Sequence, residues 1–495
     1  MHATEKKRAF VSNVSNEDKP TLPEVVEHIG MGRAQVRAAI LGGGVWLSDG
    51  SELLLISSVT KAVASEWGLQ SFMQGLIVTL VFFGIMLGNL LSGPCGSHFG
   101  RRPMILASYA GIFVFSNISS LASNATELAI FRFAVGLAIG IGQPAWLAIS
   151  AEITPSYWRM LMGAGGQTLF ALGEVYTALL MTQDDPTLQA LHWRQLLRYG
   201  AMPSLVLGMF GFFLLEESSS FLASKGQHAE AKKVLENMRR DNQADGVPVD
   251  FKLPQATVGG EQTFLQLVKR HGKVIAGSHL LIPTLVTMYS CFMINLTFYG
   301  CLFAFPQVLP SLVESSAASQ LLVGALCELP GAVAGLIVGL LVPRKTGIKF
   351  YLTMTTATML LFIIGAHNLR KHWLMRVVTF AGYYGIKMIP TIGIVLVYQV
   401  ATELYPTEVR TTGSALCLAG GRVAATLSPL FYELVVEVTG NYLYFFLVIA
   451  SLLLVNLYLI DLLPETANLV LKDDLPEEVL FQTPPGAQIE GSSSA

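Results

Sequence analysis

The chain of 495 residues is 52% hydrophobic and only 13% charged, and its mean hydropathy is +0.53. A soluble protein carries about 25% charged residues, so this composition excludes a pair of soluble domains and predicts a polytopic membrane protein. The net charge is −2 and no basic tract stands out, which gives no indication of a nucleic-acid partner.

The sequence motifs give no support for cofactor or metal chemistry. The five cysteines lie in or beside apolar runs and form no C-x-x-C pair, so neither a disulfide framework nor a metal site is predicted. The chain has no G-x-x-x-x-G-K-[S/T] loop, which argues against ATP hydrolysis. We therefore expect no enzyme activity, no cofactor and no metal.

A polar segment precedes the apolar part of the chain. Residues 1–36 are predicted to form a disordered cytoplasmic tail. Apolar runs of roughly membrane-spanning length follow and predict an N-terminal bundle of six helices over 37–215. These runs lie near residues 38–60, 72–92, 104–122, 127–150, 160–181 and 196–215.

A polar cytoplasmic linker, residues 216–275, separates these runs from a second set. Within it, the pattern of 221–238 predicts one or two short amphipathic helices at the membrane surface. The tail 464–495 ends in Pro, Gly and Ser and is predicted to be disordered. Six further runs predict a C-terminal bundle over 276–463, near residues 276–304, 319–343, 350–366, 374–400, 411–434 and 441–463.

Three sequence patterns occur twice, at offsets of 246, 251 and 248 positions. Nearly equal offsets predict a duplicated unit of about 250 residues, and such a repeat decides the architecture before any local pattern does. The paired segments are 93–103 with 339–349, 152–159 with 403–410, and 214–218 with 462–466.

The first of these patterns resembles the signature G-x3-[D/E]-[R/K]-x-G-x-[R/K] of the major facilitator superfamily of membrane transporters. The matching residues are Gly93, Gly100, Arg101 and Arg102. The resemblance covers about residues 40–465 and implies an all-α membrane protein, with twelve transmembrane helices in two pseudo-symmetric six-helix bundles. It also implies a monomer in the lipid bilayer that carries a small-molecule substrate by alternating access.

Lysine and arginine residues concentrate in the two arginine-containing turns and in the central linker. The positive-inside rule therefore predicts that both termini are cytoplasmic. We expect an integral, multi-pass protein of the plasma membrane or of an intracellular vesicle or organelle membrane.

By the same resemblance, charged residues near the arginine turns hold an inner gate closed. The family's acidic turn residue is replaced by Ser97 and by Pro343, so we expect a weaker or rearranged lock. The alternative is that these charges only anchor helix ends in the lipid headgroups. The residues assigned to the gate are Gly93, Gly100, Arg101, Arg102, Glu152, Arg159, Arg344, Glu403 and Arg410.

Three carboxylates are candidates for coupling to protons. Asp49 and Glu52 stand at i and i+3 in the first apolar run, and two close carboxylates favour holding a proton between them. Glu174 lies within the fifth run. A helix-capping or interhelical hydrogen-bonding role without titration is the alternative for Asp49 and Glu52.

Other polar residues of the apolar runs are candidates for binding substrate, because an intramembrane charge is costly unless it faces a cavity or a partner. Three alternatives stay open: Arg132 extends to the membrane surface, Arg422 pairs with Glu174 or Glu328, or the polar groups join helices. The candidates are Arg132, Gln143, Gln167, Asn295, Tyr299, Tyr383, Lys387 and Arg422.

Within the superfamily, the chain resembles the organic-ion and synaptic-vesicle-2-related branch, through residues 46–52, 152–159 and 421–429. An arginine at the position of Arg422 is associated with organic-anion members. The resemblance thus implies proton-coupled transport of a small organic anion, such as an aromatic monocarboxylate, held by the guanidinium of Arg422. Alternatives are a sugar/proton symporter, for which Gln167 is in place, an organic-cation transporter, or a non-transporting receptor on this scaffold.

Overall fold

The computed structural model describes residues 19–252, 272–277, 279–313, 316–369, 372–405 and 409–465. Twelve long helices make up most of this part of the chain. In chain order they are α1 (Arg33–Trp67), α2 (Ser71–Phe99), α3 (Arg101–Ser119), α4 (Ala125–Ile153), α5 (Arg159–Asp184), α6 (Trp193–Leu214), α7 (Leu281–Leu312), α8 (Ala317–Leu341), α9 (Arg344–His367), α10 (Trp373–Glu403), α11 (Arg410–Thr439) and α12 (Leu443–Leu459).

Ten of these twelve helices are long and apolar enough to cross a membrane by length and composition, and α3 and α5 complete the set. The predicted runs all become helices, mostly longer ones than the apolar residues alone indicated. α6 is interrupted at Ala201, between segments Trp193–Gly200 and Met202–Leu214. Pro203 explains the interruption, because proline has no amide hydrogen to donate to the preceding turn.

The two halves, α1–α6 and α7–α12, repeat one packing pattern. In the N-terminal half, α1 packs on α5, and α4 packs on both α2 and α3. In the C-terminal half, α7 packs on α11, and α10 packs on both α8 and α9. Each contact recurs six helices later, which confirms two pseudo-symmetric six-helix bundles.

The halves meet along three seams, where α2 packs on α11, α5 on α8, and α1 on α7. The pseudo-symmetry between the halves relates the α2–α11 seam to the α5–α8 seam, and the α1–α7 seam lies between these two. We call the end of the molecule that carries Arg101 and Arg344 the arginine end, and the other end the opposite end.

A short helix, Leu22–Ile29, lies in the segment that the sequence predicted to be a disordered tail. Its apolar face is buried together with the helix His228–Asp241 of the linker. Residues 19–36 are therefore ordered, because the period of their few apolar residues gives this helix a face to bury. The expectation for residues 1–18 and 466–495 concerns positions outside the described ranges.

The linker forms two short helices, Ser219–Ser224 and His228–Asp241, as the pattern of 221–238 indicated. Asn242 ties the second helix to the start of α1, because its Oδ1 accepts from the amide of Ala34 at 3.0 Å and its Nδ2 donates to the carbonyl of Gly30 at 2.9 Å.

The first arginine turn is much shorter than its sequence pattern suggested. Residues 93–99 continue α2, and Gly100 alone connects α2 to α3. Its φ of +105° lies in the region that side-chain-bearing residues avoid. Gly93 is helical and has no atom within 4 Å of the position where a Cβ would be placed. Only Gly100 therefore has the turn role that the sequence assigned to both glycines.

Candidate functional site

Two ion pairs at the arginine end repeat between the halves. Arg101 Nη2 lies 2.9 Å from Glu152 Oε1, and Arg344 Nη2 lies 2.9 Å from Glu403 Oε1. Each pair joins two helices of the same half, α3 to α4 and α9 to α10. All four residues belong to the repeated motifs.

Glu217 provides the carboxylate that the first turn lacks. Its Oε1 accepts from the amide of Arg101 at 3.2 Å and its Oε2 from the amide of Arg102 at 3.1 Å. Burial raises the pKa of Glu217, while hydrogen bonds from the amides of Ser218, Arg102 and Arg101 act in the opposite direction. The acid at the first arginine turn thus comes from the segment that follows α6.

The remaining gate candidates contact their own half. Arg102 Nη2 donates to the carbonyl of Phe212 at 2.6 Å, and Arg159 Nε donates to the carbonyl of Thr154 at 3.3 Å. The side chain of Arg410 lies outside the described part of the structure.

Arg132 and Glu52 form an ion pair inside the N-terminal half. Arg132 Nη1 lies 2.7 Å from Glu52 Oε2, and each side chain is only 1% exposed. Ser116 donates to Glu52 Oε1 at 2.6 Å, and Arg132 donates to the hydroxyls of Ser116 at 3.1 Å and Ser119 at 3.0 Å. This cluster joins α1, α3 and α4, and it holds the Arg132 side chain inside the bundle.

Close contact between two backbones positions Asp49 and Glu174. A Cβ on Gly50 of α1 would lie 2.1 Å from the carbonyl oxygen of Phe170, and one on Gly173 of α5 would lie 2.0 Å from that of Leu47. Only glycine permits helices to approach this closely. Each of the two acidic residues directly neighbours one of these glycines in sequence, so the contact sets their depth.

A second polar chain crosses between the halves near the middle of the bundle. Gln143 Nε2 of α4 donates to Asp49 Oδ2 at 2.7 Å, and Gln143 Oε1 accepts from Arg422 Nη2 of α11 at 3.1 Å. Arg422 Nη1 makes a long contact of 3.5 Å with the hydroxyl of Tyr299 on α7. Asp49 is fully buried, and its Oδ1 has no hydrogen-bond partner among the described residues.

Aromatic and amide groups surround this chain. Tyr299 packs edge-on against Phe82 of α2, with ring centroids 5.1 Å apart. Asn295 lies one turn before Tyr299 and donates to the hydroxyl of Tyr398 at 3.1 Å. Gln167 is half-buried on α5, and its Nε2 has no partner within the described ranges.

A third cluster lies on the seam between α5 and α8. Lys387 Nζ of α10 is 2.8 Å from Glu174 Oε2 of α5 and also contacts Glu328 Oε1 of α8. The side chains of Lys387, Glu174 and Glu328 are 7%, 1% and 0% exposed. Tyr383 lies one turn from Lys387, but its hydroxyl donates to the carbonyl of Gln320 at 3.1 Å.

The structure therefore separates the predicted site residues into distinct clusters. Asp49 and Glu52 shared a helix face in the sequence, yet Glu52 binds Arg132 while Asp49 binds Gln143. Glu174 and Glu328 were considered as partners of Arg422, and both bind Lys387 instead. Glu328 was not among the predicted site residues, although a lone carboxylate in an apolar run is a signal of function.

Contacts between the halves occur at the opposite end of the molecule. Gln307 Nε2 of α7 donates to the carbonyl of Ser57 on α1 at 2.7 Å. The amide of Ala318 at the start of α8 donates to the carbonyl of Pro186, just beyond α5, at 3.0 Å. Both bonds lie further toward the opposite end than Asp49 and Lys387.

Comparison with known proteins agrees with this architecture. Residues 5–473 match the family model described as "Sugar (and other) transporter". The Organic cation/carnitine transporter 7 of Arabidopsis thaliana is 26% identical, over 83% of this chain and 87% of its own length. The Synaptic vesicle 2-related protein of Rattus norvegicus is 24% identical, over 85% and 77%.

Among solved structures, the xylose transporter XylE from E. coli in a partially occluded inward open conformation has a TM-score of 0.68 and 14% identity. The match covers 88% of this chain and 100% of that one, and at this identity it establishes the fold alone. Together with the family model, these likenesses identify a multi-pass membrane transporter and not an enzyme. The chain belongs to the sugar (and other) transporter family of the major facilitator superfamily, in the branch of the synaptic-vesicle-2-related and organic-cation transporters.

Proposed function

We propose that this transporter carries a small organic anion, with the guanidinium of Arg422 holding the substrate carboxylate. The observation that supports this best concerns three cations inside the bundle: Arg132 and Lys387 are buried, and Arg422 is half-buried. Arg132 and Lys387 each contact carboxylates, whereas Arg422 has none within 4.0 Å among the described residues. A charge within a transmembrane bundle is costly unless it faces a cavity or an opposite charge, and an anionic substrate supplies the missing partner.

The groups around Arg422 suit a ligand that comes and goes. Its contacts with Gln143 and Tyr299 are to uncharged acceptors at 3.1 and 3.5 Å, and such bonds are weaker than charge-assisted ones. A carboxylate can replace both by gripping the planar guanidinium with two oxygens. The edge of the Phe82–Tyr299 pair would then face an aromatic or aliphatic body of the substrate.

The charge balance around Arg422 suggests which residue carries the coupled proton. Asp49 and Arg422 lie on either side of the Gln143 amide and sum to zero charge when both are ionised. An added anionic substrate would leave the site with one negative charge in a poorly solvated region. A proton on Asp49 would restore neutrality, so we assign Asp49 to proton–anion symport. Glu52 is already neutralised by Arg132 and is assigned to the fold.

Alternating access would move the two halves about this site. The hydrogen bonds from Gln307 and Ala318 close the opposite end, while the ion pairs of the arginine end lie within single halves. With the arginine end on the cytoplasmic side, as the positive-inside rule indicates, these two hydrogen bonds would lie on the outer side. Both termini would then be cytoplasmic, and we propose that the transporter acts as a monomer.

A zwitterion is the second candidate substrate. Asp49 Oδ1 is buried without a hydrogen-bond partner among the described residues, so a quaternary or protonated amine could bind there while Arg422 holds a carboxylate. The name of the Arabidopsis relative, an organic cation/carnitine transporter, agrees with this chemistry. A zwitterion would neutralise both residues by itself and would need no coupled proton.

Uptake of a labelled aromatic monocarboxylate into proteoliposomes, with and without an inward proton gradient, tests the proposal. We expect gradient-stimulated uptake by the wild type. Losing a buried partner of a charged ligand group costs about 2–5 kcal/mol, so Arg422→Gln should reduce uptake by about 30-fold or more. Arg376→Gln, which alters an exposed arginine near the start of α10, is the matched control and should transport normally.

Each other outcome is informative. Unchanged uptake by Arg422→Gln would remove that residue from the site. Uptake of a carboxylate–ammonium zwitterion that is indifferent to the gradient would favour the second candidate.

A further inference from the structure

We propose that Glu174, Lys387 and Glu328 form a proton-operated latch between the halves. In this latch, the seam between α5 and α8 opens only when a proton neutralises Glu174. The inference rests on the proposed alternating-access transport, but not on the identity of the substrate.

The cluster is placed where a latch must lie. Glu174 belongs to the N-terminal half, whereas Lys387 and Glu328 both belong to the C-terminal half. The contact of Lys387 Nζ with Glu174 Oε2, at 2.8 Å, therefore crosses the seam, and the contact with Glu328 does not. When α5 moves away from α8, Lys387 keeps one acid and loses the other.

The surroundings of the cluster exclude water. A small void beside it is lined by apolar side chains from α1, α7 and α8, together with Glu174, Lys387 and Tyr383. Apart from Tyr383, the other titratable groups that face the cluster are the thiols of Cys301 on α7 and Cys327 on α8. None of these neighbours brings a second positive charge.

Two carboxylates share one ammonium, so the fully ionised cluster carries one net negative charge. Glu174 Oε1 and Glu328 Oε2 have no hydrogen-bond partners among the described residues. An unpaired carboxylate oxygen in dry surroundings is where a proton would be held. One proton on this pair makes the whole cluster electrically neutral.

The two protonation states differ in whether the seam can open. With a proton on Glu174, separation leaves a neutral carboxyl on α5 and a neutral Lys387–Glu328 ion pair in the C-terminal half. Without that proton, separation strands a bare carboxylate away from its only cation, which is unfavourable in apolar surroundings. The ionised cluster therefore holds the halves together, and the proton that enters from water releases them.

The amide of Ala318 provides a native reporter of this seam. It donates to the carbonyl of Pro186 across the halves at 3.0 Å. Glu328 lies ten residues further along α8, or about 15 Å. Opening at the opposite end must break this bond, so hydrogen–deuterium exchange of peptides covering Ala318 measures how often the seam separates.

The experiment uses the full chain in lipid nanodiscs without substrate, at constant pH near 7.5. Glu174→Gln mimics the protonated latch and should increase exchange at Ala318 by about 5- to 150-fold, the usual range for coupled equilibria. Glu328→Gln should have the opposite effect, because Lys387 would then have only the acid across the seam. This second variant should slow exchange at Ala318.

Changes of opposite sign in the exchange rate at Ala318 distinguish a latch from a merely structural cluster. In a structural cluster, both variants would loosen the seam and speed exchange. Glu437→Gln on an exposed face of α11 should leave exchange at Ala318 unchanged. Uptake by Arg422→Gln tests the substrate site, whereas exchange at Ala318 in the two latch variants tests the seam, so the two proposals can fail independently. Faster exchange in both latch variants, or in neither, would overturn the latch. A wild-type response to sodium at fixed pH would also overturn it, and would make the cluster a cation site.

Discussion

Glu217 and Glu465 occupy equivalent positions in the two halves, 248 residues apart, and bind the two arginine turns in the same way. Glu217 accepts hydrogen bonds from the amides of Arg101 and Arg102, and Glu465 accepts them from Arg344 at 2.8 Å and Lys345 at 3.2 Å. In both cases a carboxylate lies at the N-terminus of a helix, where unpaired amides and the helix dipole favour negative charge.

This arrangement predicts that Glu217→Gln and Glu465→Gln each lower thermal stability. Hydrogen bonds to charged groups contribute about 1.5–3 kcal/mol, but the burial that raises the pKa of Glu217 offsets part of that gain. We therefore expect a loss of about 1 kcal/mol for Glu217→Gln. Thermal unfolding in detergent measures the effect, and Glu236→Gln on the exposed face of the linker helix is the control.

The two glutamates lie in different halves, so their effects should add in the double variant. Unchanged stability of both single variants would mean that water satisfies these amides equally well.

The surroundings of Gly100 and Gly93 predict opposite effects of an alanine substitution on stability. Alanine at Gly100 must adopt a φ near +105°, and its Cβ would lie 2.3 Å from Glu217 Oε2. The backbone strain alone costs about 1–2 kcal/mol, and the clash displaces the carboxylate from the turn. Alanine at Gly93 meets no atom within 4 Å and improves helix propensity by up to about 1 kcal/mol.

We therefore expect Gly100→Ala to reduce both the yield of folded protein and its melting temperature, while Gly93→Ala matches or exceeds the wild type. Size-exclusion profiles and thermal scans of the two variants, prepared side by side, give the comparison. Equal behaviour would show that the turn tolerates a side chain at either position.

The repeated motifs predicted those features of the fold that follow from the order of the helices along the chain. The three offsets near 250 residues predicted two six-helix halves, and the family resemblance grouped the residues that form the Arg101–Glu152 and Arg344–Glu403 contacts. In both cases the interacting groups lie at helix ends, where chain connectivity already limits which elements can meet.

The partners of the buried charges could not be predicted in the same way. Asp49 and Glu52 are about 60° apart around α1, since each residue of a helix turns by about 100°, and that difference points them at different neighbours. Glu174 and Glu328 meet Lys387 only because α5, α8 and α10 converge at one depth. The rotation and depth of separate helices are set by packing, and a single sequence does not state them.

The ion pair of Glu52 with Arg132 gives a prediction that separates a structural role from proton coupling. Both side chains are 1% exposed, and removing one partner of a buried pair costs about 3–5 kcal/mol because the other charge remains uncompensated. We expect Glu52→Gln to reduce stability strongly, as measured by thermal unfolding of the purified protein. Replacing both residues, as Glu52→Gln with Arg132→Met, should recover part of the loss, since no bare charge then remains. If Glu52→Gln instead folds with wild-type stability and takes up substrate without stimulation by a proton gradient, Glu52 is a proton carrier, and the assignment of that role to Asp49 fails.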